Sequence, residues 1–268
     1  MQRPPLDAEQ LRRSAVESPE LSFFTRIDVV ESTGSTNADL IARAADPAAD
    51  RVVLLAETQV QGRGRHARTW VSPPRAQLAM SLLVRLPGIG PASLAWLALL
   101  TGVAVVDALR ASAGVPAELK WPNDVLIEGR KVAGILAEVA ASAEGGAPAV
   151  VIGLGLNVSL TEEELPVPHA TSLTIAGARQ TDRTVLVRSL LTEFARRFTA
   201  WRDADWAIDE LAAAYRERCA TIGAEVRAEL PGDRMLTGVA EGVDEYGRLL
   251  IGGQAVSAGD VTHLRAQY

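Results

Sequence analysis

Hydrophobic and polar positions along the chain follow strand and helix periods, and together they predict a sheet with helices grouped on it. Seven runs have the length and apolar character of strands: Phe23–Glu31, Val52–Glu57, Leu78–Leu86, Ala117–Trp121, Val125–Glu128, Lys131–Ala140 and Ala149–Val158. Four segments have helical spacing: Ala38–Ala45, Ala92–Ala113, Arg183–Arg202 and Asp205–Arg218. Because strands and helices are grouped rather than strictly alternating, this order favours an α+β fold with a mixed sheet.

The two ends of the chain differ from this body. Residues 1–22 are polar with scattered leucines and predict a short arm or one helix. Beyond residue 221 the pattern changes to short alternating runs separated by turn residues, which predicts about five strands in a small β-barrel. We therefore expect an N-terminal arm at 1–22, a main domain at 23–220 and a small C-terminal domain at 221–268.

Composition narrows the possible functions. The formal net charge of −6 argues against a protein whose main role is sequence-independent binding to nucleic-acid backbones. Cys219 is the only cysteine and the N-terminus has no apolar signal segment, so we expect a cytoplasmic protein without an intrachain disulfide. The uncharged stretch Leu86–Val106 begins with prolines and glycines, which leaves too short a helix to span a membrane. We expect a buried globular helix and no membrane contact.

Hydrolytic and metal chemistry is poorly supported by the sequence. The three histidines, His66, His169 and His263, are far apart and match no zinc spacing, so any metal site stays unknown. No G-x-S-x-G elbow is present and Cys219 has no histidine close by in sequence, which disfavours a serine or cysteine hydrolase. Neither lysine follows a glycine, so the chain has no Walker loop.

One polar loop has the chemistry of an anion site. Residues 62–70 read GRGRHARTW and lie within a long irregular stretch, Thr58–Gln77. The sequence formally matches the G-x-G-x-x-A fingerprint of dinucleotide-binding sites. That interpretation fails, because a helix should follow the fingerprint, whereas Pro73, Pro74 and no helical pattern follow here. Glycines let backbone N–H groups approach an anion, and arginine forks match phosphate or carboxylate oxygens. We expect a small phosphate-bearing ligand here, with a solvated basic loop as the alternative.

Two further stretches carry candidate chemistry. Lys120–Asp124, KWPND, ends a strand in a turn that can orient a ribose or a hydrated magnesium ion, although such turns are also common without a ligand. Lys120 and Lys131 are the only lysines among 27 basic residues, and their closeness in sequence favours a site. Val151–Val158 has glycines at alternate positions, which indicates either a nearby ligand or a bulge in a core strand.

Together these residues resemble the biotin–protein ligases, also called biotin–[acetyl-CoA-carboxylase] ligases. The landmarks occur in the family's order: Ser35-Thr36-Asn37, Gln59, GRGR at 62–65, Arg68, Trp70, KWPND at 120–124, RKVAGIL at 130–136 and GLGLN at 153–157. The C-terminal region resembles the family's SH3-like domain, so the resemblance covers nearly the whole chain.

The resemblance implies a catalytic domain like that of class II aminoacyl-tRNA synthetases, a small C-terminal SH3-like β-barrel and a reaction in two steps. Biotin's carboxylate would attack the α-phosphorus of ATP to give biotinyl-5′-AMP, and a lysine of a biotin carboxyl carrier domain would then attack that anhydride. ATP and biotin would be the substrates, Mg²⁺ would accompany ATP, and the partner would be the carrier domain of an acyl-CoA carboxylase. Because both lysines of this chain fall in the site, biotin is expected to go to a partner in trans.

The resemblance also implies roles for individual residues. Lys131 and Arg65 would be the catalytic residues, contacting the biotin carboxylate and the α-phosphate. The residues implied for biotin are Ser35, Thr36, Asn37, Gln59, Arg63, Gly64, Arg65, Lys131, Gly134, Leu136 and Gly153. The residues implied for ATP are Arg65, Arg68, Trp70, Lys120, Asn123, Asp124, Lys131 and Asn157.

Two features depart from the family pattern. Ala67 stands where glycine is common, so a positive φ there would be strained. The 22 residues before the first predicted strand are too few for the DNA-binding domain of bifunctional members, so we expect a monofunctional ligase that binds no DNA. The alternatives are a ligase for lipoate or another small acid and a biotin-sensing DNA-binding regulator. Monomer and weak homodimer both stay open.

Overall fold

Two sheets organise the chain in the computed structural model, which describes residues 2–140, 146–230, 232, 234–257 and 260–264. The first sheet has seven strands in the order β1-β2-β3-β7-β6-β5-β4. The strands are β1 (Arg26–Thr33), β2 (Val52–Gln59), β3 (Gln77–Arg85), β4 (Ala117–Lys120), β5 (Asp124–Ile127), β6 (Arg130–Ala140) and β7 (Ala149–Asn157). β1 and β2 are parallel and the other neighbouring pairs are antiparallel. The predicted mixed sheet is confirmed.

Different helices cover the two faces of this sheet because side chains alternate along each strand. On one face, Leu83 of β3 joins Leu54 and Val151 against Leu40 of helix α2 (Thr36–Arg43). The intervening residues of the same strands point to the opposite face and enter the larger core. The α2 face also carries the candidate functional residues.

The opposite face is covered by three helices: α3 (Ala95–Ala108), α4 (Arg183–Asp203) and α5 (Asp209–Arg218). By length and composition alone, Pro91–Ala113 is the one helix in the described part of the chain that could cross a membrane, but most of it is buried within the protein. The predicted buried helix is therefore confirmed. The prediction of a helix from Asp205 is wrong at its start, because Asp205 and Trp206 have φ values of 51° and 61°, which an α-helix cannot include.

A tight hairpin joins β5 to β6. Glu128 and Gly129 both have positive φ, 51° and 75°, and Ile127 pairs with Arg130. This is the pattern of a two-residue type I′ turn. The turn places Lys131 at the beginning of β6.

The N-terminal segment is packed on the main body. Of the two alternatives, arm or helix, the structure has a helix, α1 (Ala8–Glu17), whose N-cap Asp7 accepts a hydrogen bond from the Gln10 N–H. The Leu6 N–H donates to the buried Glu57 carboxylate at 2.5 Å, and Arg183 pairs with the same carboxylate at 2.7 Å. The beginning of the chain is thus fixed to β2 and α4.

The second sheet is formed by the C-terminal region. Its antiparallel strands are β8 (Glu225–Leu230), β9 (Arg234–Val243), β10 (Leu249–Ile251), β11 (Gln254–Val256) and β12 (Asp260–His263), in the order β11-β10-β9-β8-β12. Trp96 and Trp121 of the main body donate their indole N–H groups to Glu245 O and Gly247 O, at 2.7 and 3.0 Å. The five expected strands are present, whereas SH3-like closure and the domain limits at residues 22 and 220 stay predictions.

Candidate active site

A cavity of about 990 Å³ lies on the α2 face of the first sheet, a volume typical of small-molecule and cofactor sites. The cavity is lined by the start of α2, the arginine-rich loop at 62–70, the turn at 120–124, residues 166–170 and the ends of strands β8 and β12 of the second sheet. Every residue that the family resemblance implied for biotin or ATP lines it: Ser35, Thr36, Asn37, Gln59, Arg63, Gly64, Arg65, Arg68, Trp70, Lys120, Asn123, Asp124, Lys131, Gly134, Leu136, Gly153 and Asn157. The fold brings all of these positions together.

The first turn of α2 is held against the end of β2. Ser35 is extended (φ −157°) and its hydroxyl accepts a hydrogen bond from the Ala38 N–H, so the helix begins at Thr36 rather than at the predicted Ala38. Gln59 Oε1 accepts from both the N–H and the hydroxyl of Thr36, at 2.8 and 3.0 Å. Hydroxyl and amide groups therefore converge at this end of the cavity.

A buried network of hydroxyl and amide groups continues from there beneath the floor of the cavity and ends on the carboxylate of Glu138. Ser81 of β3 is fully buried, with its Oγ 2.6 Å from Asn37 Oδ1 and 2.7 Å from Thr36 Oγ1. Asn37 Nδ2 donates to Glu138 Oε2 at 2.7 Å. Gly153 allows this arrangement because a Cβ there would collide with Asn37 Oδ1. The floor is thus preorganised by bonds among its own side chains.

Trp70 forms a flat section of the cavity wall. Its indole lies against Gly155, where a Cβ would come within 2.5 Å of Trp70 Nε1. That N–H donates to Gln77 Oε1 at 2.5 Å, which fixes the ring plane. Lys131 Nζ lies 5.4 Å from the ring centroid, within range of a cation–π contact.

Two cations are oriented by the turn at 120–124. Lys131 Nζ lies 2.6 Å from Asp124 Oδ1, and Arg65 donates to Asn123 Oδ1 at 3.1 Å. Asn123 is itself fixed, because its Nδ2 donates to Ile135 O at 2.8 Å. An ammonium and a guanidinium thus line one cavity with directed hydrogen bonds, an arrangement suited to neighbouring anionic oxygens.

The arginine-rich loop is closed by its own backbone. The Gly64 N–H donates to Arg68 O at 2.7 Å, and the Trp70 N–H donates to Gly62 O at 2.8 Å. His66 has the left-handed conformation, with φ 54° and ψ 39°. The positive φ in this loop therefore lies at His66, and Ala67, where strain was expected, is not among the residues with positive φ.

Residues 166–170 form another rim of the cavity, and Thr171 follows them in the chain. The Lys131 N–H donates to His169 O at 2.8 Å, and the Thr171 N–H donates to Lys131 O at the same distance. Asn157 is buried and its Nδ2 donates to Thr171 O at 2.9 Å. The end of β7 and the start of β6 are therefore both tied to this segment.

The second sheet reaches the same cavity through Glu229, Val261, Thr262 and His263. Burial and the nearby positive charge of Lys120 lower the pKa of His263. None of the site residues expected from the sequence lies in this region. The structure makes the C-terminal sheet part of the cavity wall.

Ser81, Gln77 and Glu138 also contact the site residues, although none of them was predicted from the sequence. Ser81 is a lone hydroxyl within an apolar strand and Glu138 a lone carboxylate in another, and a polar residue in such a run is a usable signal of a buried network. The position of His263 has no comparable local signal because it depends on the contact between two sheets. Among the residues that the structure describes, no group of three or more His, Cys, Asp or Glu side chains is arranged to hold a metal ion.

Two family models match this chain. The model of the biotin/lipoate A/B protein ligase family matches residues 28–157, which contain most of the cavity wall. The model of the biotin protein ligase C-terminal domain matches residues 221–264, which contain the second sheet.

Individual relatives agree with these matches. The biotin–[acetyl-CoA-carboxylase] ligase of Mycobacterium tuberculosis is 48% identical, over 98% of this chain and 97% of that protein. The bifunctional ligase/repressor BirA of Bacillus spizizenii is 34% identical, over 84% of this chain and 67% of that protein. The biotin protein ligase from Aquifex aeolicus, solved in complex with biotin and ATP, is 26% identical and has a TM-score of 0.74, over 91% of this chain and 100% of that one. The chain therefore belongs to the biotin–protein ligase family.

Proposed function

We propose that this protein activates biotin with ATP as biotinyl-5′-AMP and transfers the biotinyl group to a lysine of a biotin carboxyl carrier domain. The observation that carries the proposal is the division of one cavity into an uncharged, hydrogen-bonding floor and a cationic wall. Biotin has the matching division, since its ureido ring is neutral and polar while its carboxylate is anionic. Joining that carboxylate to a phosphate requires cations at one end of the site only.

The floor would bind biotin. Hydroxyl and amide groups would satisfy the ureido ring, the glycines and Leu136 would give apolar surface to the rest of the molecule, and the loop would close over it. The proposed biotin residues are Ser35, Thr36, Asn37, Gln59, Arg63, Gly64, Gly134, Leu136 and Gly153, together with the two catalytic cations.

The wall would bind the nucleotide. Trp70 offers a flat aromatic surface to a base, and the side chains of the turn at 120–124 offer a cation, an amide and a carboxylate to ribose and phosphates. The proposed nucleotide residues are Arg68, Trp70, Lys120, Asn123, Asp124 and Asn157, again with the two catalytic cations.

Lys131 and Arg65 would act in the first step. A carboxylate oxygen of biotin attacks the α-phosphorus, the bond from that phosphorus to the β-phosphate oxygen breaks, and pyrophosphate leaves with the electron pair. Two anions must approach each other, so fixed positive charges at this point offset their repulsion and stabilise the transition state. The contacts of Lys131 with Asp124 and of Arg65 with Asn123 orient both cations in advance.

The second step needs mainly proximity. The amine of the carrier lysine attacks the acyl carbon of the anhydride, the bond from that carbon to the AMP oxygen breaks, and the amine loses its proton. The loop at 62–70 would keep water from the anhydride until the carrier arrives. The acceptor would come from a partner, because the two lysines of this chain both line the cavity.

Mg²⁺ would enter with ATP. Asn123 and Asp124 have the oxygen donors that Mg²⁺ prefers, but these oxygens already contact Arg65 and Lys131. A metal ion carried on the phosphates fits this donor set better than a resident one. Together with Lys131 and Arg65, its positive charge would stabilise the negative charge that develops on the leaving pyrophosphate.

The carrier domain of an acyl-CoA carboxylase is the proposed partner, and the cytoplasm the proposed location. A reducing compartment suits a chain whose single cysteine, Cys219, is free and buried.

The direct test is transfer. The protein is incubated with ATP, Mg²⁺, biotin and a carrier domain, and the intact mass of the carrier is measured. We expect the mass of one added biotin, and none on a carrier whose acceptor lysine is replaced by arginine. Parallel reactions with lipoate and octanoate test the alternative ligase, which would be favoured if either acid were transferred and biotin were not.

A further inference from the structure

The backbone on both sides of Lys120 is held by residues that precede the second sheet. The Ala220 N–H donates to Leu119 O at 2.8 Å, and the Trp121 N–H donates to the hydroxyl of Thr221 at 3.0 Å. Thr221 is fully buried, so its hydroxyl has a fixed place in the fold. The position of Lys120 in the cavity wall therefore depends on these two contacts.

His263 at the end of β12 extends this chain of contacts. Its Nε2 lies 2.9 Å from Thr221 Oγ1, and its side chain lines the cavity near Lys120 and Glu229. The histidine is thus connected through one hydroxyl to the peptide group that follows Lys120. It is the point where the C-terminal strand contacts the turn.

The contacts of Thr221 allow its hydroxyl to donate to a neutral imidazole. Thr221 Oγ1 accepts from the Trp121 N–H, which leaves its own proton for an acceptor, and His263 Nε2 is within reach. An accepting Nε2 requires the uncharged ring. The lowered pKa of His263 agrees with this assignment.

We infer that His263 is a positioning residue for ATP, which fixes the peptide between Lys120 and Trp121 through the Thr221 hydroxyl. The inference rests on the proposed function and adds a part for the C-terminal sheet in nucleotide binding. The residues proposed for biotin alone lie at the start of α2, in β2, β6 and β7 and in the loop at 62–70, not in the turn at 120–124, so the effect of His263 is confined to the nucleotide.

The test is steady-state pyrophosphate release by variants of the full chain. His263→Ala raises the KM for ATP by roughly 5- to 10-fold, the scale of one net hydrogen bond, and leaves the KM for biotin and kcat within about twofold. His263→Gln restores the KM for ATP because its amide oxygen can accept from Thr221. Thr221→Val reproduces the defect, and the double variant His263→Ala with Thr221→Val adds nothing further.

A matched control separates positioning from folding. Val226 is fully buried and pairs with His263 across β8 and β12, so Val226→Ala weakens packing in the same pair of strands while the Thr221 hydroxyl is retained. We expect a lower Tm and an unchanged KM for ATP.

Two results would overturn the inference. One is a KM for ATP in folded His263→Ala within twofold of the wild type. The other is a joint change in both KM values that Val226→Ala reproduces. The proposed function fails separately, if the wild-type protein releases no pyrophosphate with biotin and ATP. In that case, equilibrium titration of the same variants with ATP tests His263 alone.

Discussion

The floor and the wall of the cavity are built in different ways. The floor consists of uncharged groups on strands and a helix start, such as Ser81 and Asn37, which are buried and bonded to one another. The wall consists of cations on a hairpin and a loop, Lys131 and Arg65, each bonded to an oxygen of the turn at 120–124. In the proposed reaction, the residues that recognise the uncharged ring and those that stabilise the developing charge would therefore lie on different elements of the fold.

This difference indicates which changes each region tolerates. The floor sits on a seven-stranded sheet, so its geometry is present before a ligand binds. The loop that carries Arg65 is connected to the floor through Glu138, which accepts from Asn37 at 2.7 Å and lies 4.0 Å from Arg63. Changes in the wall should therefore affect the chemical step most, and changes in the floor should affect biotin affinity most.

The largest effect is expected from removing a wall cation. Lys131→Ala or Arg65→Ala should lower the rate of adenylate formation by roughly 100-fold or more, the scale for losing one transition-state charge contact. Pyrophosphate release with saturating biotin and ATP measures this rate. Arg130→Ala is the matched control, because Arg130 precedes Lys131 but its guanidinium contacts the exposed Glu162 and Ala170 O rather than the turn at 120–124, and it should stay within about twofold of wild type. Near-wild-type rates in the first two variants would contradict their assigned roles.

The residues of the wall could be predicted from the sequence more completely than those of the floor. Lys131 and Arg65 lie in short motifs that contain charged residues and glycine, and such motifs indicate an anion-binding site without a structure. The type I′ hairpin was likewise encoded locally, by Glu128 and Gly129. Ser81 instead lies in an apolar strand, and its partners come from α2, some 44 positions earlier.

Contacts between the two sheets could not be predicted from local sequence patterns. His263 and Thr221 meet only because β12 pairs with β8, which sets the end of the chain beside the turn at 120–124. The later start of α5 also could not be predicted locally, because neither aspartate nor tryptophan by itself indicates the positive φ that Asp205 and Trp206 adopt. Pairing between distant strands and unusual backbone conformations thus account for most of what the sequence analysis missed.

The second prediction compares two glycines on one strand. Gly153→Ala pushes Asn37, whereas Gly155→Ala pushes the Trp70 indole. Overpacking of this kind costs about 1–3 kcal/mol of folding stability. Because the side chain that is displaced would contact a different ligand in each case, we expect the KM for biotin to rise with Gly153→Ala and the KM for ATP to rise with Gly155→Ala, each by roughly 10-fold, the scale of one net hydrogen bond. Equal effects of both variants on both substrates would show that the floor and the wall are not separate.

The third prediction concerns the floor alone. Ser81→Ala removes the hydroxyl that contacts both Asn37 and Thr36, and it leaves buried polar atoms with one partner fewer. The free energy of unfolding should fall by about 1–3 kcal/mol. Calorimetric titration should show biotin affinity reduced several-fold, with the KM for ATP unchanged. Ser81→Thr keeps the hydroxyl and serves as the control, and an equal loss of affinity in that variant would argue against the hydrogen bonds as the cause.

The smallest effect on activity is expected outside both regions, at Asp107. Its carboxylate contacts Arg218 at 2.7 Å and also pairs with Arg197, which joins α3, α4 and α5 behind the sheet. Burial by itself raises the pKa of Asp107, but the hydrogen bonds and charges of the two arginines outweigh it and lower the pKa below 3.8. This ionised carboxylate therefore stabilises the folded state.

The sign of the pH dependence follows from that lowered pKa. The contribution of Asp107 is complete above the unfolded-state pKa of 3.8 and is lost as the pH falls through the lower folded-state value. Asp107→Asn should reduce the free energy of unfolding by about 1–3 kcal/mol at pH 7, and the difference from wild type should shrink below pH 4. Urea unfolding at pH 7 and pH 3 measures both quantities. Both KM values should stay within twofold of the wild type. A larger change in either would mean that the helices behind the sheet determine the geometry of the floor or the wall.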